Sequence, residues 1–192
     1  MYKKWALWSV LFFSSCATTP RSPLVDPLPG QPLEWTEEFQ KMHTQAAHKN
    51  ADAMIALAEF YLFGPPPFQH HVSAYPILHE LVERGNHEAM EILAGMYLNG
   101  RGVEQDGIKA IALYERGAVL GHGPCQFNAG ALYKDGEGGV LKNPEKAYYW
   151  LSKAAFNPDL ENMRYDAASL RNDVPLSSKE RTQIIQKIYS KE

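Results

Sequence analysis

Residues 89–110 read AMEILAGMYLNGRGVEQDGIKA, and the fold of the chain follows from how this stretch is parsed. Ala89, Leu93, Met96 and Tyr97 lie at i, i+4, i+7 and i+8, the apolar face of one helix. Gly100 stands where such a helix stops. Asp106 then makes a fitting N-cap, and beyond it Ala110, Leu113, Tyr114 and Ala118 mark the buried stripe of a second helix. The unit is a helix pair joined by a glycine loop.

Working outward, the same unit returns with a period of 36 residues. Tyr61, Tyr97 and Tyr133 keep this step, as do Gly64, Gly100 and Gly136, and Ala53, Ala89 and Cys125. Leu57, Leu93 and Ala129 follow it too. Ala110 repeats Ala74, and Ala147 comes one residue late because the third loop has an additional residue near Gly138 and Gly139. Small residues at Ala53, Ala89, Ala94, Ala118, Gly130 and Ala155 let adjacent helices approach, and the regular spacing stacks pair on pair. The expected fold is all-α, an α-solenoid of stacked antiparallel helix pairs spanning 35–192. Its repeats fall at about 51–86, 87–122 and 123–159, with an N-terminal capping helix at 35–48 and a closing pair within 160–190. Ser177 is the expected N-cap of the last helix. The first unit departs from its siblings. FGPPPFQHH at 63–71 replaces the Gly-x-Gly-Val loop and predicts a longer, stiffer connection, while Pro76 predicts a late-starting helix capped by Ser73, with the proline in its first turn.

The stretch quoted above resembles a Sel1-like repeat, a relative of the tetratricopeptide repeat with a longer inter-helix loop. The third unit carries the same features in Tyr133, Gly136, Gly138, Asn143, Lys146, Ala147, Trp150, Leu151, Lys153, Ala154 and Ala155. The resemblance covers 87–156 strongly and 51–86 more weakly. It implies roles in protein assembly and signalling. For exported bacterial members it implies envelope adaptors or immunity proteins that occlude a secreted toxin. A third implication, of another class, is an envelope hydrolase acting on cell-wall or β-lactam substrates.

Ahead of the repeats the chain has a different character. Lys3 and Lys4, an apolar run from Trp5 to Phe13 interrupted only by Ser9, and then Ser14 and Ser15 form the parts of a secretory signal over 1–15. The run is too short to span a bilayer. Phe13-Ser14-Ser15-Cys16 resembles the lipobox of bacterial lipoproteins, with Phe13 where leucine is usual. That resemblance implies lipidation at Cys16 and, because Ala17 and not aspartate follows, sorting to the outer membrane facing the periplasm. The alternative is ordinary cleavage near Ser15 with Cys16 left as a thiol. Residues 16–34 contain five prolines and should form an extended tether of roughly 50 Å.

Composition narrows the function classes. Hydrophobic residues at 45% and charged residues at 21% describe a globular chain, and a formal charge of −3 offers no basic field for nucleic acid. Without its first fifteen residues the chain keeps 17 basic against 22 acidic side chains, near −5, so a membrane anchor would have to be lipid and not charge. His79 to Glu83 and His87 to Glu91 nearly spell a zinc-protease helix, but each has glutamate where the second histidine belongs. His70 and His71 are sequence neighbours without further ligands at hand. The glycine loops follow helices, whereas phosphate loops follow strands. Cys125 sits at an alanine position of the repeat and reads as core. No catalytic residue, metal site or cofactor is expected.

A repeat stack offers an extended face lined by its first helices, and specificity resides in the variable positions there. By register these are Met54, Ile55, Glu59 and Leu62; Glu88, Glu91, Gly95 and Leu98; and Gln126, Phe127, Ala131 and Lys134. Expected contacts with a partner protein are Ile55, Glu59, Glu91, Phe127 and Lys134, with Phe68 on the proline loop and Tyr149 on the last repeat as further candidates. The expectation is a non-enzymatic, lipid-anchored adaptor of the bacterial envelope whose partner is an envelope component or a secreted toxin.

Overall fold

The computed structural model describes residues 33–65, 69–160 and 163–190. The signal segment, Cys16, the tether up to residue 32 and Phe68 lie outside the described residues. Nine α-helices are present among the described residues: α1 (Leu33–Ala47), α2 (Ala51–Phe63), α3 (His71–Glu83), α4 (His87–Asn99), α5 (Gly107–Val119), α6 (Gly123–Asp135), α7 (Pro144–Phe156), α8 (Arg164–Asn172) and α9 (Ser178–Tyr189). Each packs chiefly on its neighbours in the chain, α2 with α3, α4 with α5 and α6 with α7 forming the repeat pairs. This is the all-α solenoid.

Side-chain caps start most of these helices. Asn50 and Asn86, 36 residues apart, accept from the N–H groups of Ala53 at 3.0 Å and Ala89 at 2.8 Å. Asp106 and Asn143 do the same for the second helices, accepting from Lys109 and Lys146 at 2.9 Å each. Ser177 forms a full capping box with Glu180. The expected caps at Asp106 and Ser177 are therefore present.

One backbone bond recurs in the loop inside each repeat. The carbonyl of the repeat tyrosine accepts from the N–H of the residue preceding the second helix: His70 to Tyr61 at 3.0 Å, Asp106 to Tyr97 at 2.9 Å and Asn143 to Tyr133 at 2.8 Å. Two expectations for the first repeat are corrected by this bond. Its loop, residues 64–70, has seven residues like the second at 100–106 and is not longer. Helix α3 begins at His71, with His70 as a cap that makes no side-chain bond, so Ser73 is not the cap and Pro76 lies inside the helix. The closing bond fixes the start by register, and the proline is tolerated because the carbonyl it deprives of a donor belongs to Val72, a residue 72% exposed.

Loop glycines stack one repeat on the preceding one. Gly102 and Gly138 occupy equivalent positions and have φ of +72° and +61°. A Cβ on Gly102 would lie 2.5 Å from the backbone of His71, and one on Gly138 would lie 3.0 Å from Gly107. His71 and Gly107 are themselves equivalent, the first residues of α3 and α5. Each loop thus rests on the N-terminus of the second helix before it, and only glycine fits both the dihedral and the gap.

The core runs along the stack. Leu78, Leu81, Leu93 and Leu151 are almost completely buried, each removing enough apolar surface to contribute about 1.5–3 kcal/mol. Cys125 is fully buried, with its thiol 3.9 Å from the carbonyl of His87, and a Cβ on Gly117 would meet its sulfur at 2.5 Å. Burial pushes this thiol up, so it is a packing residue as its register suggested. At the C-terminal end α7 packs on α8 and α9. The Arg181 guanidinium donates to the carbonyls of Asn172, Val174 and Leu176 at 2.9–3.2 Å and lies over the Tyr148 ring, tying the closing pair to the last repeat.

Candidate binding face

The first helices α2, α4 and α6 carry the positions expected to vary. Several of these side chains point inward. Ile55 and Met54 are 5% and 4% exposed and belong to the core between α2, α3 and α4, so neither is a contact residue as found, while Leu62, 3% exposed in the same core, shows only an edge to the cleft described below. The cause is that α2, ADAMIALAEFYLF, is apolar on nearly every side, and such a helix is enclosed by its neighbours. Gln126 is also buried. Its amide donates to the carbonyl of Ala118 at 3.2 Å and its oxygen accepts from Asn157 at 3.0 Å.

The remaining candidates fall in separate places. Phe127 is half-buried and packs against both the C-terminal core and the cluster around Leu160. Lys134 is half-buried, 3.3 Å from the Asp135 carboxylate, and borders a hollow shared with Asp173 and Val174 near the closing pair. Tyr149 is half-buried edge-on to Trp150, with its ring centroid 4.9 Å away, and stands on a second helix.

Glu59 and Glu91 are brought together, and Glu88 joins them. The three carboxylates line a cleft of about 240 Å³ between α2 and α4. Leu62, Ile92 and Met96 add apolar lining, and Phe63, Gly95, Asn99, Arg101 and Tyr114 complete it. Burial, reinforced by the charges of Glu88 and Glu91, holds the Glu59 carboxyl above its usual range. Glu91 has one partner, His122, whose Nε2 lies 2.9 Å from its carboxylate. His122 occupies the cap position held by Asn50 and Asn86 in the other repeats but makes no cap bond. Its ring stacks on that of His87 with centroids 4.5 Å apart, so a cap on its own helix has been exchanged for contacts with the preceding first helix, α4.

Sequence reasoning missed Tyr114 and Arg101. Tyr114 was read as part of a core stripe, and it is 5% exposed, yet its hydroxyl reaches the cleft. The available signal was its register: the equivalent residues are Leu78 and Leu151. Among the described residues no group of three or more histidine, cysteine, aspartate or glutamate side chains could hold a metal ion, and no helix is long and apolar enough to cross a membrane.

Known proteins resemble the chain at the repeats. The Sel1 repeat profile matches residues 51–69, 87–122 and 123–155. The match in the first repeat ends just before α3, where the proline loop and Pro76 depart from the pattern. The chain is 31% identical over 119 residues to the mouse protein sel-1 homolog 2, which covers 62% of this chain but only 17% of that protein. Two crystal structures are similar. One is a protective antigen present in uropathogenic Escherichia coli strains and displaying an SLR fold, with TM-score 0.57 and 27% identity over 61% of this chain and 25% of that one. The other is a Sel1 repeat protein from Oxalobacter formigenes, with TM-score 0.55 and 28% identity over 71% of this chain and 98% of that one.

Proposed function

We propose, from the premise that this chain is a solenoid of Sel1 repeats, that it is a non-catalytic adaptor which binds a partner protein on its first-helix face. Sel1-repeat proteins are generally protein-interaction adaptors. The observation that carries the reading is the cleft between α2 and α4, where side chains from two consecutive repeats converge on one surface. The signal-like N-terminus, the lipobox resemblance at Cys16 and the proline-rich segment support placing this adaptor in the bacterial envelope. There it would be lipid-anchored, at the outer membrane facing the periplasm.

Photocrosslinking amino acids at Glu88 and Lys134, on first helices, and at Ala112, on the exposed side of α5, test the face in intact cells. Capture of one protein from Glu88 or Lys134 and not from Ala112 is expected. Capture from Ala112 alone would move the binding surface to the second helices. Labelling with radioactive palmitate tests the anchor, which Cys16→Ser should abolish.

A further inference from the structure

Two departures from the repeat pattern fall at one spot. Where the first and third repeats bury Leu78 and Leu151, the second has Tyr114; where they have Glu59 and Ala131, the second has Gly95. A Cβ on Gly95 would lie 3.7 Å from the Tyr114 hydroxyl. The phenol therefore reaches the first-helix face through the space left by the missing side chain. Tyr114 is only 5% exposed, and its hydroxyl, which makes no hydrogen bond among the described residues, is the part of it that opens into the cleft. Glu59 and Glu88, beside it, have neither an ion pair nor a hydrogen bond among the described residues. Arg101 borders the cleft, but its guanidinium lies over the Phe63 ring, 5.7 Å from the centroid, and pairs with none of the three glutamates. Unmatched acceptors face a common void with apolar walls.

We propose that this cleft is a socket for an arginine side chain of the partner protein, its guanidinium shared by Glu59, Glu88 and the Tyr114 hydroxyl and its methylenes lying against Ile92 and Met96. The proposal rests on the reading of the first-helix face as the partner-binding one. Arginine fits because its planar guanidinium presents five donors to several acceptors at once, and its aliphatic stem suits an apolar wall. A bound cation also relieves the mutual repulsion of carboxylates crowded in a half-buried space, so binding should weaken in acid as Glu59 takes up a proton.

The test is a titration of the whole, nitrogen-15-labelled protein with a blocked Gly-Gly-Arg-Gly-Gly peptide and with its citrulline counterpart, which keeps the shape and loses the charge. The arginine peptide should perturb amides of α2 and α4 at millimolar concentration and bind at least about tenfold more tightly than the citrulline peptide. Glu59→Gln with Glu88→Gln should remove that preference. Tyr114→Phe should weaken arginine binding several-fold. Gly95→Ala, whose added methyl meets only ordinary contact distance, provides a variant that keeps the fold while narrowing the socket and should weaken binding too. Equal binding of the two peptides, no binding at millimolar concentration, or arginine binding that survives the double substitution overturns the socket. Crosslinking from Lys134, which leaves the socket intact, separates this failure from failure of the underlying reading: capture there with no arginine effect sinks the socket alone, and no capture there sinks both.

Discussion

Asn50, Asn86 and His122 occupy one position of the repeat and serve two different ends. The asparagines satisfy helix N-termini, so Asn86→Ala should cost about 1 kcal/mol in urea unfolding. His122 instead engages Glu91 on α4, the preceding first helix. Reversing the charge of Glu91 therefore disturbs the fold as well as the face, and the clean pair for testing partner capture is Glu59 with Glu88. Glu59 also sets a pH signature. Its folded-state carboxyl is held above the unfolded value, so its ionised form opposes folding above that raised value and the opposition disappears as pH falls through it. Glu59→Gln should accordingly stabilise the protein at neutral pH by less than about 1 kcal/mol, with the gain vanishing below about pH 4. Melting curves across pH check this, and a pH-independent difference would refute it. At this scale register alone put Glu59 and Glu91 on one face, and the structure sets both at one cleft. Ile55 was misread because an apolar residue on a first helix looks the same whether it faces a partner or a neighbouring helix. Tyr114 stayed hidden because an aromatic in a buried stripe reads as core, and its reach follows only when the departure at Gly95 is set beside it in space.

Among the elements, loops are as regular as helices. Gly102 meets both a positive φ and a backbone 2.5 Å from where its Cβ would be, so Gly102→Ala should destabilise by more than about 1 kcal/mol, whereas Gly95→Ala, in a helix interior with room for a methyl, should stabilise by roughly 0.5–1 kcal/mol. Denaturant midpoints of the two variants should move in opposite directions. The helix pairs, their stops at Gly100 and Gly136 and the caps at Asp106 and Ser177 were all legible, because periodicity and capping chemistry are local. Helix α3 was not. Its proline and lack of a capping side chain argue locally for a late start, and the bond from His70 to the Tyr61 carbonyl overrides them.

In the molecule as a whole, the last repeat is completed by α8 and α9. Val174 is 1% exposed between them and contributes about 1.5–3 kcal/mol, and Arg181 holds the turn closed. Removing residues 163–192 should uncover Tyr148 and lower the melting temperature by at least several degrees, measured by circular dichroism. Phe127, Lys134 and Tyr149 are spread along this end, and the sequence could not separate them from the acidic cleft because register places residues on a face without measuring distance along it.

The seating of each loop glycine on the helix before it gives the stack a direction. The surface that Gly102 needs belongs to α3, and the surface that Gly138 needs belongs to α5, so in each case the required template lies earlier in the chain. A polypeptide emerging N-terminus first, from a ribosome or through a translocation channel, would always have the preceding template to hand. Every newly released unit could dock on arrival, without waiting for residues still to come.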